Sequence, residues 1–265
     1  MSQEIPTGSQ VLIRIVKKNE NDWARVLADL RSKNADLDVE DPTPAELRGW
    51  EPIDILNTDT YPQNVRQNCP RPPFVLFAKG NMANLVPNAL LIISPKKYSF
   101  ECKVSAFIQL IVQAKVPAVI LWRNPDRDMA NNGFALEALR AYQNSGVPFT
   151  VILPEDTEDI DKLADGIAAS GGLALTEHYP GAPKKTDSVC ARIGASLSKA
   201  ALVLAGGNGS AACIDAAFAL NAGIDVGALP WAPLTPAGEL CNTMIRDGAA
   251  CVSCVDDVLD LLGRQ

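Results

Sequence analysis

The sequence predicts an α/β fold, a Rossmann-like doubly wound, mostly parallel sheet with helices on both faces. Two observations carry this expectation. From about residue 72, short runs that are apolar throughout recur along the chain, and longer helical patterns with an apolar stripe separate them. A strand covered on both sides has no polar face to alternate, so an unbroken apolar run is its signature. Repeated strand–helix–strand units then call for right-handed crossovers and parallel pairing.

Taken in order, the first fifty residues stand apart. Residues 11–16 are predicted as a strand and 21–33 as a helix, with Trp23, Val26, Leu27 and Leu30 on one stripe and Asp22 as its cap. The run Asp41-Pro-Thr-Pro44 is turn-rich and reads as a linker. Residues 1–48 are therefore expected to form a small N-terminal α/β extension, and 49–265 the Rossmann-like domain. In that domain the predicted strands are 74–78, 89–93, 118–122, 149–153, 173–176, 201–205 and 226–229. The predicted helices are 100–114, 134–144, 158–169 and 210–222, and the turns Asn144-Ser-Gly146 and Asn221-Ala-Gly223 fall where two of them should stop.

Composition bounds the function. The 265 residues are 47% hydrophobic and 21% charged, enough to bury a full core and too apolar for a disordered chain. The apolar stretches at 107–121 and 200–205 are broken or short, so no membrane span is expected. The N-terminus lacks the basic-then-apolar run of a signal peptide. The 7 cysteines are odd in number and scattered, which reads as free thiols in a reducing cytoplasm. The net charge of −7 argues against a protein that coats nucleic acid with a basic surface.

The strongest chemical signal is Ala201-Leu-Val-Leu-Ala-Gly-Gly-Asn-Gly-Ser210, an apolar strand running into a glycine-rich turn and a helix start. Gly206, Gly207, Asn208, Gly209 and Ser210 would let the backbone come close to an anion, with helix-start amides facing it, as a phosphate or nucleotide requires. Gly207, Gly209 and Ala212 also match a dinucleotide fingerprint. That motif wants an acid at the end of the following strand, whereas Asp225 opens it, so NAD binding is disfavoured. The single histidine, His178, sits beside Glu177 without a nucleophile elbow elsewhere, and it reads as structural. Cys251-Val-Ser-Cys254 lacks the further ligands that zinc needs. No catalytic residue, metal or cofactor is assigned.

Charge distribution sharpens the picture. Lys96, Lys97, Lys103, Lys115 and Arg123 face only Glu101 between residues 90 and 123, and Lys184, Lys185, Arg192 and Lys199 face only Asp187 between 178 and 200. Lys96 and Lys97 follow one predicted strand and Arg123 the next, which should bring them to the same sheet edge as the glycine loop. Lys96, Lys97, Arg123 and Arg192 are the candidate nucleic-acid-binding residues.

Several stretches, in order, resemble the DNA-processing protein A (DprA/Smf) family. They are Thr60-Tyr-Pro-Gln-Asn-Val-Arg66, Arg71-Pro-Pro-Phe-Val-Leu-Phe-Ala-Lys-Gly-Asn81, Leu175-Thr-Glu-His-Tyr-Pro-Gly181 and Cys190-Ala-Arg-Ile-Gly-Ala-Ser-Leu-Ser198. Gly223-Ile-Asp-Val-Gly-Ala-Leu-Pro230, Asn242-Thr-Met-Ile-Arg-Asp-Gly-Ala249 and Asp256-Asp-Val-Leu259 complete the series. The resemblance implies a Rossmann-like fold that binds single-stranded DNA in a basic pocket, partners a RecA-type recombinase and forms a homodimer. It places Arg192 on the second arginine of the family's RNR motif, Lys96 on the arginine of its VGsR turn, and Gly209-Ser210 on its SGS phosphate loop. This sequence departs from the family in reading Ile93-Ser-Pro-Lys96 at the VGsR turn and Cys190-Ala191 before Arg192.

The expectation is a divergent, non-catalytic DprA-like protein that binds single-stranded DNA in DNA processing, uptake or recombination. Two alternatives stay open. One is a small-nucleotide-binding module that does not bind DNA. The other is a nucleotide hydrolase using Glu177 or Asp215, which resembles a branch of the fold whose PGGxGTxxE glutamate is Cys213 here.

Overall fold

The computed structural model describes residues 7–32, 39–95, 102–122, 134–154, 159–182 and 190–263. In chain order the elements are α1 (Gly8–Lys18), α2 (Trp23–Arg31), α3 (Pro44–Leu47), β1 (Glu51–Asp54), α4 (Gln63–Asn68) and β2 (Val75–Gly80). There follow β3 (Leu90–Ile93), α5 (Cys102–Gln113), β4 (Ala118–Leu121), α6 (Phe134–Tyr142), β5 (Phe149–Ile152), α7 (Ile160–Ala169) and β6 (Leu173–Thr176). The last third holds α8 (Ala191–Leu197), β7 (Ala200–Val203), α9 (Ala211–Asn221), β8 (Asp225–Ala228), α10 (Glu239–Arg246), β9 (Ala250–Cys251) and α11 (Val255–Leu261).

The strands form one 9-stranded sheet in the order β1-β2-β6-β5-β4-β3-β7-β8-β9. Pairing is parallel from β6 through to β9, while β2 runs antiparallel to both β1 and β6. The architecture is the mostly parallel, Rossmann-like sandwich the sequence predicts. Side chains alternate across it as strand geometry demands. Leu90 and Ile92 join the layer beneath α5, α6 and α7, whereas Leu91 and Ile93 join the layer beneath α8, α9 and α10. All four are at most 1% exposed, and each such burial contributes roughly 1.5–3 kcal/mol.

The strand expected at residues 11–16 is instead part of α1. The β-branched residues there favour a strand locally, but Leu12, Ile15 and Val16, which recur at helical spacing, are the buried ones. Thr7 closes a capping box with Gln10, its side chain accepting the Gln10 amide at 3.3 Å and its amide donating back at 2.7 Å. Arg14 and Lys17 pair with Asp41 at 2.8 Å and Glu46 at 2.9 Å. The helix at α2 and its Asp22 cap are as predicted, with Asp22 accepting the Arg25 amide at 3.1 Å. Both helices pack into the same core layer as Val75 and Phe77 of β2. The Asn21 amide group ties the turn between them to the carbonyls of Val75 at 3.0 Å and Glu177 at 2.5 Å.

Asp41-Pro-Thr-Pro44 leads directly into α3. There Thr43 caps the helix by accepting the Glu46 amide at 3.3 Å, and Pro44 takes the first helical position.

Candidate functional site

The chain leaves β3 in one direction through β4, β5 and β6, and α8 then carries it back across the sheet to β7 on the other side of β3. Strand order therefore reverses between β3 and β7. An open α/β sheet offers its ligand crevice outside the carboxyl ends of the strands at such a reversal. The two strand ends are locked side by side, since the Leu204 amide donates to the Ile93 carbonyl at 3.0 Å. Ser94, 2% exposed, follows β3, and Leu204, Ala205 and Gly206 follow β7 into the turn.

The turn is built around two glycines for different reasons. A β-carbon on Gly206 would lie 2.8 Å from Leu240 Cδ2, so a side chain there would force Leu240 to shift. Gly209 has φ +79°, a left-handed conformation that other residues adopt at a cost. The Gly206 amide donates to the Ala237 carbonyl at 2.7 Å, and its carbonyl accepts the Leu240 amide at 2.8 Å, fastening the loop to the start of α10. The Ser210 amide closes the turn onto the Gly207 carbonyl at 3.1 Å, and Ser210, in extended conformation, caps α9.

Several polar groups lie at this rim. The first amides of α9 lack partners inside their own helix, and the helix dipole adds partial positive charge there. The Asn208 amide already donates to a carboxylate oxygen, Glu239 Oε2, at 3.2 Å. The Ser94 and Ser210 hydroxyls are buried without a hydrogen-bond partner among the described residues. A cavity of about 430 Å³ opens along the start of α10, walled by Leu234, Pro236, Glu239, Thr243 and Arg246, and Glu239 links it to the loop.

Arg192 lies in the first turn of α8, at the same edge of the sheet. Its Nη1 donates to Glu177 Oε1 at 2.7 Å, its Nη2 pairs with Glu177 Oε2, and its Nε donates to the Arg71 carbonyl at 3.3 Å. Burial alone would weaken the guanidinium charge, but the Glu177 carboxylate more than offsets this and raises the Arg192 pKa above its ordinary value. Burial also pushes up the Tyr61 phenol and the Cys69 thiol, which both sense this ion pair.

The structure thus brings Gly206, Gly207, Asn208, Gly209 and Ser210 to the crevice and engages Arg192 with Glu177. Lys96, Lys97 and Arg123 lie outside the described residues. They follow in sequence the ends of β3 and β4, which open at this edge. His178 is 6% exposed, and its backbone amide donates to Thr176 Oγ1 at 3.1 Å. Among the described residues no group of three or more His, Cys, Asp or Glu is placed to hold a metal ion, and no helix is long and apolar enough to cross a membrane. Glu239 is absent from the sequence-level site because it lies in no motif and only the fold carries it to the loop; Ser94 lies in the Ile93-Ser-Pro-Lys96 turn, where the sequence singled out Lys96 alone.

A glycine turn and helix start at the reversal of a mostly parallel sheet define a Rossmann-like fold. The profile of the DNA recombination-mediator protein A family matches residues 130–263, and the chain belongs to that family. It is similar in fold to DNA processing protein A from Streptococcus pneumoniae, at 21% identity over 95% of this chain and 92% of that one, with a TM-score of 0.67. It also resembles DNA processing protein A from Helicobacter pylori, a structure described for its single-stranded DNA binding mode. There the identity is 15% over 81% of this chain and 94% of that one, with a TM-score of 0.60. A search of curated proteins finds no match.

Proposed function

We propose that this chain acts in DNA processing by binding single-stranded DNA, without catalysis, along the carboxyl edge of its sheet. Gly206, Gly207, Asn208, Gly209 and Ser210 receive a backbone phosphate, and Lys96, Lys97 and Arg123, which follow β3 and β4, supply attraction along the strand. Arg192 joins this set when a phosphate shares its guanidinium with Glu177. The observation that carries the reading is the Asn208 amide held by a carboxylate oxygen, since it places an anionic oxygen on the very turn assigned to phosphate. Family membership and the single-stranded DNA bound by the Helicobacter pylori relative support the choice of ligand. The commitment of Glu177 to Arg192 supports a binding role over acid–base chemistry.

The reading has two further parts, a RecA-type recombinase as partner, with which the family's description as a recombination mediator agrees, and a homodimer as the working form. Light scattering on the purified chain tests the homodimer, and a mass of one chain contradicts it.

A second reading, a module for a single nucleotide, is favoured by the cavity of about 430 Å³ along the start of α10, which Glu239 joins to the loop. One comparison separates the two. Binding of an oligonucleotide, rather than of a mononucleotide, should be measurable at low salt and weaken as salt releases counterions. Gly209→Asp should abolish it, because a carboxylate is added to the loop, while Gly209→Ala carries the same backbone strain without the charge and retains more affinity. Binding of the mononucleotide alone overturns the DNA reading.

A further inference from the structure

We propose that Glu239 is a built-in competitor for the phosphate at the glycine loop, and that it tunes the crevice towards ligands carrying several phosphates. The inference rests on the reading of Gly206–Ser210 as a phosphate loop and adds to it a residue that reading does not contain. Glu239 Oε2 accepts the Asn208 amide at 3.2 Å and lies 3.9 Å from where a β-carbon on Gly207 would stand. The carboxylate therefore hangs over the two central residues of the turn. An amide carries one hydrogen, so a phosphate oxygen that takes it must displace Glu239.

Two features make this a competition rather than a permanent closure. The backbone of Glu239 is fixed, because the Gly206–Ala237 and Leu240–Gly206 hydrogen bonds, at 2.7 and 2.8 Å, fasten the start of α10 to the loop. Its side chain is exposed and borders the cavity of about 430 Å³, which leaves room for it to swing aside. A displaced carboxylate still repels the incoming anion. In a water-like dielectric two like unit charges about 4 Å apart repel by about 1 kcal/mol, or about fivefold in affinity. One phosphate with no other contact gains little over the resident carboxylate. A strand that also places neighbouring phosphates along the rim gains enough to displace it.

The test compares the full chain with Glu239→Gln, Glu239→Ala and Gly209→Asp, and combines Glu239→Gln with Gly209→Asp. The probes are fluorescent oligothymidylate and thymidine 5′-monophosphate, and thermal melting checks the fold of each variant. Glu239→Gln should tighten oligonucleotide binding about fivefold at low salt. Glu239→Ala should tighten it at least as much, and both should narrow the preference for oligonucleotide over mononucleotide. The gain should shrink as salt screens the charge and vanish in the Gly209→Asp background. Asp225→Asn, which removes an equal charge from the opposite edge of the sheet, should give no gain.

If both Glu239 variants bind no better than the native chain while Gly209→Asp loses binding, the competitor is overturned and the phosphate loop stands. If Gly209→Asp binds as the native chain does, the loop reading fails and the competitor with it. An equal gain from Asp225→Asn reduces the effect to net charge and overturns the inference. Failure of every protein to bind either probe overturns both.

Discussion

Arg192 lays its guanidinium against the Glu177 carboxylate across the gap between α8 and the end of β6, with 12% and 15% of the two side chains exposed. A charge so placed is tolerable only while its partner remains, so removing one side leaves the other stranded. Arg192→Ala should destabilise the fold by about 3 kcal/mol. Arg192→Lys should fall between, because an ammonium cannot make the two-pronged contact. Urea unfolding of both variants and of Arg192→Ala combined with Glu177→Ala measures this. The double variant should lose less than the sum of the single ones, and an Arg192→Ala midpoint equal to the native one contradicts the pairing.

Gly206→Ala tests the close approach of loop and helix. The added methyl would meet Leu240 Cδ2 at 2.8 Å and Ser210 Oγ at 3.1 Å, and Leu240 sits at the start of α10, which the loop hydrogen bonds hold in place. Overpacking of this kind costs about 1–3 kcal/mol. A lowered Tm together with weakened oligonucleotide binding is expected, because α10 and the loop shift as one. An unchanged Tm means the loop is free of α10.

Asp257 gives a pH signature at the far end of the sheet. Its carboxylate accepts the amides of Ser253 at 2.7 Å and Cys254 at 3.0 Å, and these bonds pull its pKa from the ordinary 3.8 down to about 2. A lowered folded-state value means that its contribution is fully present above the unfolded pKa and is lost as pH falls towards the folded one. Asp257→Asn should therefore lower the Tm at pH 7, and the gap to the native chain should close between about pH 4 and pH 2. A gap that stays constant through that range refutes the assignment.

What the sequence reveals depends on how locally each feature is encoded. β3, β4 and β7 are legible because a strand covered on both faces must be apolar at every position, and Leu90–Ile93 is such a run. α1 is harder to read, because Val11, Ile13, Ile15 and Val16 favour extended backbone, while the Thr7–Gln10 capping box and burial of Leu12, Ile15 and Val16 in the core select the helix. β1 and β9 escape notice because they are short edge strands. Pro52 interrupts β1, and both residues of β9 are exposed. At the site, Gly206 to Ser210 is visible as a strand-to-helix turn, a strictly local pattern. Glu239 lies 31 residues from Asn208, and Glu177 lies 15 residues from Arg192, so neither pairing leaves a mark in any short window. Arg192 looks like a free cation in the sequence for that reason.

The most direct measurement is a titration of the chain with an unlabelled oligothymidylate, followed through backbone amide chemical shifts at low salt. Phosphate binding in the crevice predicts that the amides of Gly207, Asn208, Gly209 and Ala211 move first and furthest, with Asn208 reporting the exchange of Glu239 for a phosphate oxygen. Shifts confined to other parts of the sheet, with these four amides unmoved at saturation, would place the strand elsewhere and contradict the glycine loop as its phosphate site.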